Sequence, residues 1–364
     1  VPLAVACGSS AQPGDSAAVD ASASSPAGDD GAGNARGGDA TSVSQGSSGS
    51  SGGSASSSGG PNEGGVTTAD ASTGGDGGGS GCTPPVGLEY SYACWPMPNP
   101  ASTGLPNPSS YTDMGDGTVL DNVTHLVWQK TVTSQQAYTW AAAQTYCSGL
   151  TLGGRAWHLP TRIELLSLVD FTKSPAIDST AFPNTPGGKY HWTATPWVVS
   201  QIASKPQYSW MVNFSDGGLT SNAADRTLSE YVRCASSSQQ GPLPNLYTQV
   251  ASGEVRDSET GLVWVQATST STMSQTNAKS YCASLGLNGH MWRLPSIKEL
   301  STLVDDDPPI AKVSPAINTM WFADTPANGW YMSSSALSSN AWAINYQDGY
   351  TNHSQTAGVV RCVR

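Results

Sequence analysis

One block of roughly 120 residues occurs twice in this chain, over 111–235 and 247–364, and nothing else in the sequence restricts the fold as much. Leu126-Val127-Trp128 returns as Leu262-Val263-Trp264, and Tyr146-Cys147 as Tyr281-Cys282. Trp157-His158-Leu159-Pro160-Thr161 returns as Trp292-Arg293-Leu294-Pro295-Ser296, with Glu164-Leu165 and Glu299-Leu300 at the same spacing behind it. Pro175-Ala176-Ile177 matches Pro315-Ala316-Ile317, and Trp210–Phe214 matches Trp342–Tyr346. Both copies close on Val-Arg-Cys, at Cys234 and Cys362. Matches kept in this order describe two tandem domains, joined by a short linker over 236–246.

Local patterns inside the copies are readable. Thr139 stands as a capping residue before a helical run that puts Trp140, Ala143, Cys147 and Leu150 on one face. Thr161 with Glu164, and Ser296 with Glu299, have the spacing of a capping box at the start of a second helix. The stretches around Trp210–Phe214 and Trp342–Tyr346 alternate like half-buried strands, and Asp216-Gly217 and Asp348-Gly349 read as turns. Two helices, several strands and Trp/Gly/Pro-rich loops make a compact α+β module. Trp128, Trp140, Trp157 and Trp210, with Trp264, Trp292 and Trp342, are assigned to the cores.

The repeat also pairs the cysteines. Each copy has one Cys in its early helix and one in its last strand, so the economical pairs are Cys147–Cys234 and Cys282–Cys362. Closing loops of that length is worth about 4–5 kcal/mol on the chain-entropy model, an upper-end figure. Cys82 and Cys94 are left to close a short loop in the Pro-rich lead-in, 82–110, and such bookkeeping implies an oxidising compartment.

The seventh, Cys7, ends Leu3-Ala4-Val5-Ala6-Cys7, which resembles the tail of a bacterial lipoprotein signal with Cys7 as the lipidated residue. Residues 1–7 are then a signal remnant. Between Gly8 and Gly81 there is no aromatic residue and no Leu, Ile or Met, so 8–81 is expected to be a disordered Gly/Ser/Ala/Asp tether. Most of the net charge of −11 sits at this end: residues 1–110 hold nine acids against Arg36. The two copies carry only −1 and −2, with no basic stripe of the kind that binds nucleic acid or heparin. No stretch approaches the roughly 18 apolar residues of a membrane-spanning helix, so attachment to a membrane is expected through lipid alone.

The repeated residues resemble the C-terminal domain of the Legionella collagen-like adhesin, the Lcl C-terminal family. The shared pattern is Asp-x-x-Thr-Gly-Leu-Val-Trp, a Trp/Ala helix ending in Tyr-Cys, Trp-x-Leu-Pro-Thr-x-x-Glu-Leu and a closing Val-Arg-Cys. The second copy has the first element as Asp257–Trp264, while the first copy carries His125 at the place of Gly261. The helix-Cys to last-strand-Cys layout is also similar to the C-type lectin-like fold shared by formylglycine-generating enzymes and a repeated Fibrobacter surface domain. The resemblance implies adhesion or ligand binding at a cell surface. The usual lectin calcium motifs, Glu-Pro-Asn and Trp-Asn-Asp, are absent.

No catalytic set, metal set or cofactor site emerges. Glu164 and Glu299 are explained by capping, and Asp121, Asp257, Asp216 and Asp348 by turns. The five histidines do not repeat, and no Cys/His spacing suits zinc. Candidate ligand-binding residues are the aromatics of the variable stretch between the second helix and the Trp-x-x-Asn strand: Tyr190, Trp192, Trp197, Trp330 and Tyr331. The expectation is an exported, outer-membrane or surface lipoprotein. It would be a binding protein rather than an enzyme, with a glycan or extracellular protein as ligand and two copies raising avidity. The rivals are an enzyme acting on cell-wall or extracellular polymers and a purely structural surface component.

Overall fold

The computed structural model describes residues 92–132, 137–197, 208–220, 225–237, 246–306, 314–337 and 340–364. The expected lipid site at Cys7, the tether, Cys82 and most of the linker lie outside them.

The first module opens on a meander of β1 (Tyr111–Asp113), β2 (Thr118–Asp121) and β3 (Val127–Gln129). The last strand β9 (Ala235–Ser236) pairs with β3, so this sheet runs β1-β2-β3-β9. A second sheet is ordered β4-β8-β5-β6-β7, from β4 (Ala137–Tyr138), β5 (His191–Pro196), β6 (Ser209–Val212), β7 (Leu219–Thr220) and β8 (Glu230–Tyr231). Helices α1 (Trp140–Ser148) and α2 (Arg162–Ser167) lie between β4 and β5 in the chain. The second module repeats the scheme with β10 (Tyr247–Ala251), β11 (Glu254–Asp257) and β12 (Val263–Val265), then α3 (Gln275–Ser284) and α4 (Ile297–Ser301). It ends on the sheet of β13 (Trp330–Leu337), β14 (Asn340–Asn345) and β15 (Tyr350–Gln355).

The expected α+β modules are closed as the repeat implied, by disulfides Cys147–Cys234 and Cys282–Cys362 between α1 or α3 and the closing segment. Cys94 is disulfide-bonded too. Both capping boxes are complete: the Thr161 and Ser296 hydroxyls accept from the Glu164 and Glu299 amides, and each carboxylate accepts from the capping residue's own amide. Thr139 does sit before α1, but its side chain makes no capping bond, whereas Ser274 caps α3. Trp140 corrects a core assignment: it is half-buried, donates its indole N–H to Thr193 O, and lies 3.6 Å beneath the Arg226 guanidinium. The other six assigned tryptophans are buried. Asp121 and Asp257 each accept two amide hydrogens of their own turn, at Val123 and Thr124, and at Glu259 and Thr260. His125, with φ +58°, occupies the left-handed position that Gly261 takes at +73°, so the departure between the copies leaves the turn intact.

The arginine of each Val-Arg-Cys is a fully buried staple. Arg233 donates to Gln129 O, Lys130 O and Thr185 Oγ1 at 2.6–2.9 Å, and its guanidinium lies 4.9 Å from the Phe182 ring centre. Burial lowers its pKa to about 9. Arg361 repeats the arrangement with Val265 O, Gln266 O, Thr325 Oγ1 and Phe322. Carbonyl oxygens and a ring face here do the work that water does outside.

The two modules share one hydrophobic core, in which Leu166, Trp210 and Phe214 of the first join Leu300, Trp342 and Tyr346 of the second. Equivalent elements meet: α2 contacts α4, β7 contacts β15, and the Leu219 amide donates to the hydroxyl of its counterpart Thr351. A residue meeting its own equivalent marks an approximate two-fold arrangement. Cations are buried across this contact. Arg162 of α2 pairs with Asp306 at 2.6 Å and donates to Ser301 O, so it serves the C-terminal end of α4. Lys298 of α4 donates to Ser167 O and Val169 O at the corresponding end of α2, and burial brings its pKa down to about 7.

The lead-in is part of this core rather than an approach to it. Ala93, Trp95 and Met97 are buried with residues of both modules. Asn99 holds the strap to the second module through Nδ2 to Glu299 Oε1, and Ser102 holds it to Thr172 of the first.

Candidate functional site

The five aromatic candidates separate when placed on the fold. Trp192 and Tyr331 are fully buried and offer no face to a ligand. Both stand on strands, not in a loop, and turn inward: Trp192 Nε1 donates to Tyr138 O, and the Tyr331 hydroxyl pairs with Thr268 Oγ1. Trp197 is half-buried, edge-on to Tyr208. Tyr190 immediately precedes β5 and Trp330 starts β13, at aligned positions, and both keep part of their surface exposed.

Tyr190 lines a cleft of about 150 Å³ at the seam between the modules. From the first module it is lined by Tyr190, Asn213, Asp216, Gly218 and Leu219. From the second come Trp342, Tyr350, Thr351, Asn352 and His353, with Trp330 packed edge-on against Tyr350 at 6.2 Å. The strand-turn-strand hairpins explain the convergence. Asn213 and Asp216 sit in the turn between β6 and β7, where Gly217 at φ +90° accepts the tight reversal. The aligned turn around Asp348 leads into β15, whose first residues Tyr350–His353 face across the seam.

Hydrogen bonding inside the cleft is incomplete. Asp216 Oδ1 accepts from the Gly218 amide, and its second oxygen has no partner among the described residues. Asn213 and Asn352 use their carbonyl oxygens on the amides of Ser215 and Ser354, which leaves both amide nitrogens as donors. Two nitrogens closed to solvent, Trp342 Nε1 and His353 Nδ1, have no partner among the described residues. Burial, then the neighbouring Tyr190, Asp348 and Asp216, push the Tyr350 phenol above its ordinary pKa, so it stays a neutral hydroxyl. Burial likewise raises the Asp348 carboxyl.

Asymmetry between the copies explains the orphaned indole. Trp210 and Trp342 are equivalent, and Trp210 Nε1 donates to Asp306 Oδ1 across the seam at 3.1 Å. The residue aligned with Asp306 is Phe171, which meets Trp342 edge-on at 5.0 Å and has no acceptor to give. Gly218 is aligned with Tyr350: the side chain that one copy projects, the other omits, and a Cβ on Gly218 would stand 3.7 Å from Trp342. The cleft therefore opens where the two-fold relation is broken.

The capping carboxylates form a separate pair of microenvironments. Glu299 is locked by Arg293 through two bonds of 2.7 Å, while Glu164 faces His158 at 3.1 Å. For His158, burial acts downward, but the Glu164 charge prevails and raises its pKa. A second recess of about 300 Å³, between the strap and α3, is lined by Leu105, Lys279, Trp292 and Arg293 among others. Sequence reasoning did not single out Asn213, Asp216, Asn352 or His353 as ligand contacts. The available signal was the mismatch at aligned positions, Gly218 against Tyr350 and Phe171 against Asp306.

Residues 117–236 and residues 253–364 each match the family model of the Lcl C-terminal domain. No curated protein matches the chain.

Proposed function

The chain belongs to the Lcl C-terminal domain family, with two copies in tandem, and from that premise we propose a lipid-anchored surface protein whose joined modules bind an extracellular ligand. Family membership suggests a surface-associated protein. The Cys7 motif supplies the anchor in this reading, and the polar segment behind it holds the modules away from the membrane. The protein binds rather than transforms its ligand, a glycan or an extracellular protein.

One observation carries the proposal: aromatic residues and polar groups with hydrogen-bonding capacity to spare, from both modules, meet in a single cleft. Such a surface offers ring faces for stacking and a few fixed polar groups for orientation, the usual make-up of a recognition site. Tyr350 is the side chain that most fully belongs to it, being half-buried, neutral and flanked by Trp330. The test uses the full chain on a panel of glycans and extracellular matrix proteins, beside Tyr350→Ala and Trp197→Ala. Binding weakened about tenfold or more by Tyr350→Ala and untouched by Trp197→Ala is the expected result. Binding that ignores Tyr350 removes the cleft from consideration.

A further inference from the structure

We infer that the tandem holds one uncharged pyranose sugar per chain, gripped by both modules at once, an inference that rests on the ligand-binding reading of the same cleft. Stoichiometry follows from the broken symmetry. A site belonging to each copy would appear twice, but this one needs Gly218 from the first module and Tyr350–His353 from the second. At the two-fold counterpart, Tyr350 stands where Gly218 leaves space, and Asp306 already occupies the indole N–H of Trp210.

The sugar class follows from the chemistry of the wall. Asp216 offers a carboxylate oxygen with no partner among the described residues, and Asn213 and Asn352 offer amide donors. A ligand dense in hydroxyls can pair with these accessible acceptors and donors together. Tyr190 and Tyr350 add rings on which the apolar face of a pyranose can rest. Charge excludes the acidic sugars. No Lys or Arg is among the described residues that line the cleft, and the Asp216 and Asp348 carboxylates both act on Tyr350 within it. A quaternary ammonium would need ring faces to dominate, whereas hydrogen-bonding groups make up most of this wall. At about 150 Å³ the space is smaller than the roughly 300–1,000 Å³ of drug-sized pockets and suits one ring.

Calorimetric titration of the full chain tests this with methyl glucoside, galactoside and mannoside, N-acetylglucosamine, a heparin disaccharide and choline. Binding of at least one uncharged sugar at one site per chain is expected, insensitive to salt. Gly218→Tyr, which copies the second module's residue into the first, should abolish it, and Asp216→Asn should weaken it about tenfold. Lys279→Ala, in the other recess, should change nothing. Circular dichroism shows whether Gly218→Tyr is folded, and Asp216→Asn carries the test if it is not. Two sugars per chain would overturn the composite site. Binding confined to the heparin disaccharide and lost in Lys279→Ala, or confined to choline, would overturn the sugar class. If no sugar binds but a protein ligand is lost with Gly218→Tyr, the sugar class fails and the cleft stands. Indifference of every ligand to Gly218→Tyr and Asp216→Asn defeats the cleft itself.

Discussion

Arg162 and Ile297 occupy the same place in their modules, and so do Phe171 and Asp306. Only one pairing of the modules sets the cation against the carboxylate. If the first module packed on a copy of itself, Arg162 would face Phe171. If the second did so, Asp306 would face Ile297 in place of the Arg162 guanidinium. The scaffolds are alike down to their capping boxes and Arg staples, while the seam sets a cation against a carboxylate in one combination alone. Duplication thus supplied the architecture, and divergence at a few aligned positions specified which copy pairs with which. The same divergence opened the cleft.

The comparison breaks most visibly at the Arg162–Asp306 pair. Asp306→Ala strands a fully buried guanidinium and the Trp210 indole, and should cost about 3–5 kcal/mol in urea unfolding. Replacing both partners by the residues of the other copy, Arg162→Ile with Asp306→Phe, should recover much of that loss. Equal instability of the single and double variants would show that the ion pair is not what matters at the seam.

The capping boxes sharpen the likeness instead. Thr161→Ala and Ser296→Ala should each cost about 1 kcal/mol, because both remove the same acceptor from the same amide. A large difference between them would mean that the shared motif does different work in the two modules.

The smallest expected effect concerns pH. His158 is raised by Glu164, so the pair stabilises the first module below the ordinary His pKa of about 6.5 and the contribution fades as pH rises through the raised value. The second module has Arg293 in place of His158, so it has no imidazole against its capping carboxylate. NMR titration of His158 should report a raised midpoint that returns toward the ordinary value in Glu164→Gln. An unchanged midpoint in that variant would remove Glu164 as the cause.

Much of the module was legible in the residues, because its organising features are local or repeated. The cysteine pairs, the Thr161 and Ser296 caps and the Asp-Gly turns each follow from spacing or from the duplication. The seam was not legible in this way. Arg162 and Lys298 look like solvated charges on short helices, since the groups that receive them lie 144 and 131 residues away. Trp192 and Tyr331 look like loop aromatics until strand pairing turns them inward. What did bear on the seam was polarity that failed to repeat in and just after a repeated helix: Arg162 against Ile297, Ile163 against Lys298, Phe171 against Asp306. A face that is charged in one copy and apolar in the other is a face the copies present to each other.

The strap at Ala93–Asn99 sets an order of assembly. Its anchor on Glu299 is 200 residues downstream, so a chain emerging from its N-terminal end exposes Trp95 and Met97 long before their seat exists. The first module can close its own disulfide in that interval, but the apolar segment ahead of it has to wait for the second. The last event in folding is then the docking of the chain's earlier residues, and a product cut short before α4 would carry an uncovered aromatic strap.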